Sequence, residues 1–190
     1  ASELGRSTDK CKLAAAVLLT APGEPYIYYG EELGMYGEQT NGDEYVRAPM
    51  LWGDSYTTAY TDKIDKSAAS NIATVDKQLE DKNSLLNTYL TFTRLRNTYP
   101  ALAEGTMSKH PVYNDSNEKN YKSVAAWYMT KDNEKLLVIH NLGSSAVTLP
   151  LTENIEKAIA LLGKAQQSKS ATEFTVKLDK YSSVVYKLAE

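Results

Sequence analysis

Pro22-Gly23-Glu24-Pro25-Tyr26-Ile27-Tyr28-Tyr29-Gly30-Glu31-Glu32-Leu33-Gly34 decides how the chain reads. Pro22 and Gly23 stop the preceding helix, since proline cannot continue one and glycine tolerates positive φ. Pro25 fixes φ at the start of the next element. Tyr26 to Tyr29 is a short aromatic and β-branched run that predicts a buried strand. Gly30 ends it, with Glu31 and Glu32 at its carboxyl end. Helix, tight turn, buried strand and polar loop together make an α/β unit. Ligand sites in such folds lie beyond the carboxyl ends of strands. Spacing alone accounts equally well for tyrosines that only pack and glutamates that only face solvent.

Upstream, Ser7 or Thr8 caps a helix and Asp9 suits its first turn. Lys10 to Thr20 continues it, and Leu13 to Leu19 is apolar on every side, which predicts burial on more than one face. Cys11 reads as a small buried or half-buried thiol, with nothing nearby to lower its pKa. Downstream, Met35 to about Thr61 is a loop broken by Gly37, Gly42, Pro49 and Gly53. Loops of this length are functional or disordered, and its aromatic and Met residues argue against disorder. Asp43 and Arg47, four apart, either pair with each other or both reach a ligand, since Arg offers a planar fork of donors. On residues alone the structural pair is the favoured reading. Lys63 to Asp81 is polar, with one short helix around Val75 to Leu79.

Asn83 to Tyr99 has the clearest helical pattern, capped by Asp81 or Asn83 and ended by Pro100. Leu85, Tyr89, Phe92 and Tyr99 share a face, flanked by Leu86 and Leu95. Arg96 falls in the middle of that face, which predicts a buried or half-buried structural anchor with an acidic partner. Pro100 to Gly105 reads as a domain junction. Beyond it lie short β-prone runs: 123–129, 136–141, 147–151, 155–162, 173–178 and 183–188. Turn clusters Asn114-Asp115-Ser116-Asn117, Lys131-Asp132-Asn133 and Gly143-Ser144-Ser145 separate them, which predicts a small antiparallel sandwich. His140 is expected to be packed or at an edge, since no second His or Cys sits at ligand spacing.

The whole is 190 residues, enough for one or two domains. A net charge of -3 gives no electrostatic case for nucleic acid. The 14 tyrosines suit sugar contacts and half-buried sheets alike. The single cysteine excludes an intrachain disulfide. No apolar run approaches the roughly 20 residues of a membrane span. There is no Gly-rich phosphate loop, Cys–His cluster or Ser/His/Asp arrangement. Ala1-Ser2-Glu3-Leu4-Gly5-Arg6 has no initiator Met and no signal-peptide pattern, so the chain reads as a piece of a longer protein.

At Gly23 to Glu32 the chain resembles the α-amylase family, glycoside hydrolase family 13, around its eighth barrel strand. Arg47-Ala48-Pro49-Met50-Leu51-Trp52 is similar to the family's Arg-Thr-Pro-Met-Gln-Trp motif, with Ala48 and Leu51 departing from it. Asn83 to Leu86, Arg94 to Arg96 and Pro100 to Leu102 resemble the eighth barrel helix and its exit. Leu136 to Leu142 and Tyr181 to Tyr186 resemble strands of the C-terminal β domain. The resemblance implies an α/β segment, the last strand and helices of a (β/α)8 barrel incomplete here, followed by an all-β antiparallel sandwich domain. The expected division is 1–103 for the barrel segment and 104–190 for the sandwich.

The family's three catalytic carboxylates follow the fourth, fifth and seventh strands, the last within an Asn-His-Asp motif. This sequence has no such motif. The resemblance therefore implies that the catalytic residues, and any calcium ligands of the parent, lie outside the chain. It implies no cofactor within the chain and no metal ligands. It also implies that Asp43 and Arg47 bind substrate, because the family places an Asp and an Arg four apart after the eighth strand. The parent would be a retaining hydrolase of starch or maltooligosaccharides, in an extracytoplasmic or cell-surface setting. The partners implied are an α-glucan substrate and the missing N-terminal barrel. Alternatives are a non-catalytic carbohydrate-binding or interaction module, or a transglycosylase of the same fold.

Overall fold

A computed structural model describes residues 1–37, 40, 42–53, 71–113, 121–170 and 174–189. The helices are α1 (Thr8–Thr20), α2 (Val75–Glu80), α3 (Leu85–Thr98) and α4 (Pro100–Glu104). The strands are β1 (Thr106–Lys109), β2 (Val124–Lys131), β3 (Glu134–Asn141), β4 (Val147–Leu151), β5 (Ile155–Leu162), β6 (Ala165–Lys169), β7 (Phe174–Leu178) and β8 (Ser182–Leu188). Short 3-10 turns occupy Ser2–Leu4, Glu31–Leu33 and Asp43–Val46. The chain gathers into two compact units, one of Ala1–Lys12 with Tyr26–Thr91 and one of Leu13–Pro25 with Phe92–Glu190.

The second unit is built around a sandwich. One sheet has the order β1-β2-β3-β8-β5 and the other β4-β7-β6. Every pairing is antiparallel. Alternation sends Ala126, Leu137, Ile139, Val184 and Tyr186 inward, where they meet Leu149, Val176 and Leu178 of the smaller sheet. Yet Met129, Leu136, Val138 and Val185, on the other face, are also fully buried. That face is covered: α4 packs on β2 and β3, and the end of α1 reaches Trp127 and His140. A strand covered on both faces loses its polar alternation, which is why Leu136 to Ile139 reads as a continuous apolar run. The six expected strands are present. Two were missed, β1 and β6, because both are short and polar and lie at sheet edges. The Asn114 to Asn117 turn lies outside the described residues.

Helix α1 begins on Ser7, whose hydroxyl accepts from the Lys10 amide. Its other end is held by side chains. Arg96 donates to the carbonyls of Leu19, Ala21, Gly23 and Ala103. Trp127 Nε1 donates to Thr20 O at 3.3 Å. Arg96 was expected to pair with an acid; no carboxylate contacts it among the described residues. The carbonyls that a helix leaves unbonded at its C-terminus, with the dipole behind them, replace the acid as the counter-pole.

His140 is packed, as expected, and fully buried. Thr20 Oγ1 gives its proton to Ala16 O at 2.7 Å. His140 Nε2, 3.1 Å from the same oxygen, must therefore donate to it, and Nδ1 must accept from the Ser183 hydroxyl at 2.6 Å. The ring is neutral, and burial pushes its pKa down to about 3.

Three further readings change. Tyr26 to Tyr29 forms no strand, and all four residues are exposed. A strand exists only through ladder partners, and no described strand pairs with this segment. Helix α3 is capped by Ser84, whose hydroxyl accepts from the Asn87 amide at 3.0 Å, not by Asp81 or Asn83. Asp81 caps the turn before it, accepting from the Asn83 amide. Pro100 to Glu104 is a helix with proline in its first turn, as the missing amide allows.

Two tests follow from the buried polar groups. Arg96→Met leaves the buried Leu19 carbonyl and three part-buried ones without this donor, the buried one alone costing about 1–3 kcal/mol, so the melting temperature falls in a thermal scan, and Arg96→Lys recovers part of the loss. Glu153 accepts from His110 Nε2 at 2.8 Å and from the Tyr128 hydroxyl. Burial raises its pKa, but those hydrogen bonds outweigh burial and bring it from 4.5 down to about 2. A depressed carboxylate stabilises the fold above its unfolded pKa and loses that contribution as pH falls. Urea midpoints should therefore decline as pH drops from 4.5 towards about 2, and Glu153→Gln should flatten that decline.

Candidate functional site

The first unit carries the loop on which the expected site residues lie. It opens at Gly30, whose φ is +84°, and a Cβ there would sit 2.6 Å from Met35 Sδ. Only glycine fits both the left-handed backbone and the close approach. The Glu31–Leu33 turn then closes on Gly34. Glu31 Oε1 accepts from the Tyr89 hydroxyl of α3 at 2.9 Å. Burial, then the hydrogen bond to Glu31, pushes the Tyr89 phenol far above its ordinary value. Glu31 thus anchors the turn to α3. Glu32 Oε2 is buried with no hydrogen-bond partner among the described residues.

Beyond the turn the loop is tied down at intervals. Ser2 Oγ donates to Gly37 O at 2.9 Å and accepts from the Gly37 amide at 3.3 Å. The Arg6 guanidinium lies 4.1 Å from the centre of the Tyr36 ring. Tyr29 donates to Ala48 O at 3.2 Å. At the far end Leu51 is buried, Trp52 exposed and Gly53 buried. The carbonyls of Leu51 and Trp52 accept the amides of Val75 and Asp76, at 2.8 and 3.2 Å. Those amides open α2, whose N-cap Thr74 makes no side-chain cap. The loop backbone caps the helix instead.

Asp43 and Arg47 are brought together. Arg47 Nη2 donates to Asp43 Oδ2 at 3.1 Å, with the side chains 63% and 60% exposed for Arg47 and Asp43. The pair sits on the Asp43–Val46 turn, open to solvent. A recess of about 220 Å³, lined in part by Tyr28, Tyr29, Glu31, Tyr36, Val46 and Ala48, lies beside it in chain terms.

Sequence reasoning missed Gln78. Its Nε2 donates to Leu33 O and Ala73 O, each at 3.0 Å, and its Oε1 accepts from the Leu86 amide. A lone glutamine in a polar stretch gives no signal of this. Cys11 is buried, and burial pushes its thiol pKa up, away from reactivity. Among the described residues no three His, Cys, Asp or Glu side chains converge to hold a metal ion. No helix of the described residues is long and apolar enough to cross a membrane.

Residues 1–105 match the α-amylase catalytic domain family, and residues 124–185 match the α-amylase SusG C-terminal domain family. Alpha-amylase SusG of Bacteroides thetaiotaomicron is 66% identical over 98% of this chain and 27% of that protein. Alpha-amylase 3 of Dictyoglomus thermophilum is 32% identical over 97% of this chain and 35% of that protein. The crystal structure of an α-amylase from H. orenii superposes with a TM-score of 0.81 at 24% identity, over 99% of this chain and 37% of that one. The chain thus spans 27% and 35% of the two curated relatives named.

The geometry separates two roles. An exposed ion pair contributes about 0–1 kcal/mol, so Arg47→Ala should leave the melting temperature nearly unchanged. Tyr89→Phe strips a half-buried carboxylate of its donor, a loss of about 1–3 kcal/mol, and should lower it. Thermal melts of the two variants, side by side, check both.

Proposed function

Because the chain belongs to the α-amylase family, we propose that the protein it comes from is a retaining hydrolase of α-glucans, starch or maltooligosaccharides. The observation that carries this is the order of the two matches: catalytic domain over 1–105, then SusG-type C-terminal domain over 124–185. In this reading residues 1–103 complete a barrel whose other strands belong to the rest of the parent, and 104–190 form its β domain. The missing partners of Tyr26 to Tyr29 support it, since an aromatic run exposed on all four residues fits a barrel strand without its neighbours.

A retaining glycosidase needs two carboxyl groups about 5–5.5 Å apart, one as acid and one as nucleophile. Neither candidate here suits that work. Glu31 is bound to Tyr89, and Asp43 is paired with Arg47. The family resemblance and the absence of its Asn-His-Asp motif place the catalytic carboxylates in the remainder of the parent. Asp43 and Arg47 serve as substrate contacts: an exposed fork of donors and an exposed carboxylate suit vicinal sugar hydroxyls. The family resemblance places any calcium site of the parent outside this chain, and no step here depends on one.

In the full-length parent, Arg47→Ala should lower kcat/KM on maltooligosaccharides by about 10–150-fold, the equivalent of one charged hydrogen bond worth about 1.5–3 kcal/mol. Unchanged kinetics together with a lowered melting temperature would return Arg47 to a structural role. The purified 190-residue chain should show no turnover of soluble starch beside the full-length control. Turnover that disappears on Asp43→Asn would place the catalytic site within these residues instead.

A further inference from the structure

We propose that Trp52 is a sugar-stacking residue of the substrate loop, a contact that determines affinity for longer α-glucans; this rests on the reading of the parent as an α-glucan hydrolase. The indole is 53% exposed, on a segment that is otherwise locked. Its neighbours Leu51 and Gly53 are buried, so the local backbone alternates in, out, in. The Trp52 carbonyl accepts from Asp76 N and its amide donates to Met50 O, both at 3.2 Å. The Leu51 carbonyl accepts from Val75 N at 2.8 Å.

The side chain is therefore not what fixes this stretch. Buried Leu51 and the helix-capping carbonyls fix it, and the indole is presented outward at little entropic penalty. Five positions earlier on the same loop, Arg47 presents its exposed fork, steadied by Asp43. A pyranose ring has an apolar face of C–H groups and an equatorial rim of hydroxyls. A flat aromatic face matches the first and a planar fork of donors the second. The bonds to Val75 and Asp76 hold the backbone at Leu51 and Trp52 in place before a ligand arrives. The exposed tyrosines at 26–29 differ in this respect, because they lie on a segment whose bare backbone calls for neighbouring strands.

The test uses the full-length enzyme with Trp52→Ala and Trp52→Phe, assayed on soluble starch, maltoheptaose and maltotriose, with melting temperatures for each. Trp52→Ala should raise KM for starch and maltoheptaose about tenfold, as loss of an aromatic anchor does. Maltotriose should be affected less, kcat should carry less of the change than KM, and Trp52→Phe should recover most of it at an unchanged melting temperature. If the wild type cleaves starch and Trp52→Ala matches it in KM, Trp52 makes no sugar contact. If Trp52→Ala instead lowers the melting temperature, with KM on all three substrates moving alike, Trp52 packs against another part of the parent. A wild type that neither cleaves nor binds α-glucan overturns the reading of the parent, and this one with it.

Discussion

The end of α1 sets a condition that the second unit is built to satisfy. A helix leaves its last carbonyls without intrahelical donors, and here those of Leu19 and Thr20 make their bonds in a buried place that water does not serve. Arg96 and Trp127 supply them. The guanidinium alone serves four carbonyls on two stretches of chain, Leu19 to Gly23 and Ala103. Around this knot lies a second, neutral one, in which Ala16, Thr20, His140 and Ser183 pass hydrogen bonds in a single direction. Each group in the series has its direction dictated by the one before it. No ion pair is needed, and the low dielectric that would penalise an unpaired group strengthens these bonds instead.

The same economy governs the loop of the first unit. Its fixed points are mostly backbone carbonyls held by donors elsewhere: Gly37, Ala48, Leu51 and Trp52. Asp43, Arg47 and Trp52 remain exposed on a stretch that is nonetheless held. Binding residues are commonly carried in this way, on loops positioned by a scaffold. Glu31 went the other way. At the carboxyl end of the aromatic run it looked like a ligand-facing acid, but it became the acceptor for Tyr89.

Much of the second unit was legible from residues alone. Leu136 to Asn141 and Ser183 to Leu188 read as strands because β-branched and apolar residues run between turn clusters, and both are strands. Arg96 was legible as a buried anchor from its helical register, though not the nature of its partner. Periodicity reports which face is covered and says nothing about what covers it. The edge strands β1 and β6 were illegible for the same reason, since polar residues at an edge pair through backbone alone. Gln78 was illegible because a glutamine in a polar stretch carries no sign of its partners: Leu33 is 45 residues away, and Ala73 and Leu86, though near in sequence, lie outside its own helix.

By itself the sequence determined what depends on local chemistry: where helices start and stop, which runs suit a sheet, and the Asp43–Arg47 spacing that lets the two meet. The motifs at Gly23 to Glu32 and Arg47 to Trp52 also carried the family, because those residue types in that order are improbable otherwise. Only tertiary structure decided the partners. It gave Arg96 carbonyls in place of an acid and gave Glu31 a phenol in place of a ligand. A residue's own propensity is written in its side chain and near neighbours. Its hydrogen-bond partner depends on what the whole chain brings within about 3 Å, and that is settled only when the chain has folded.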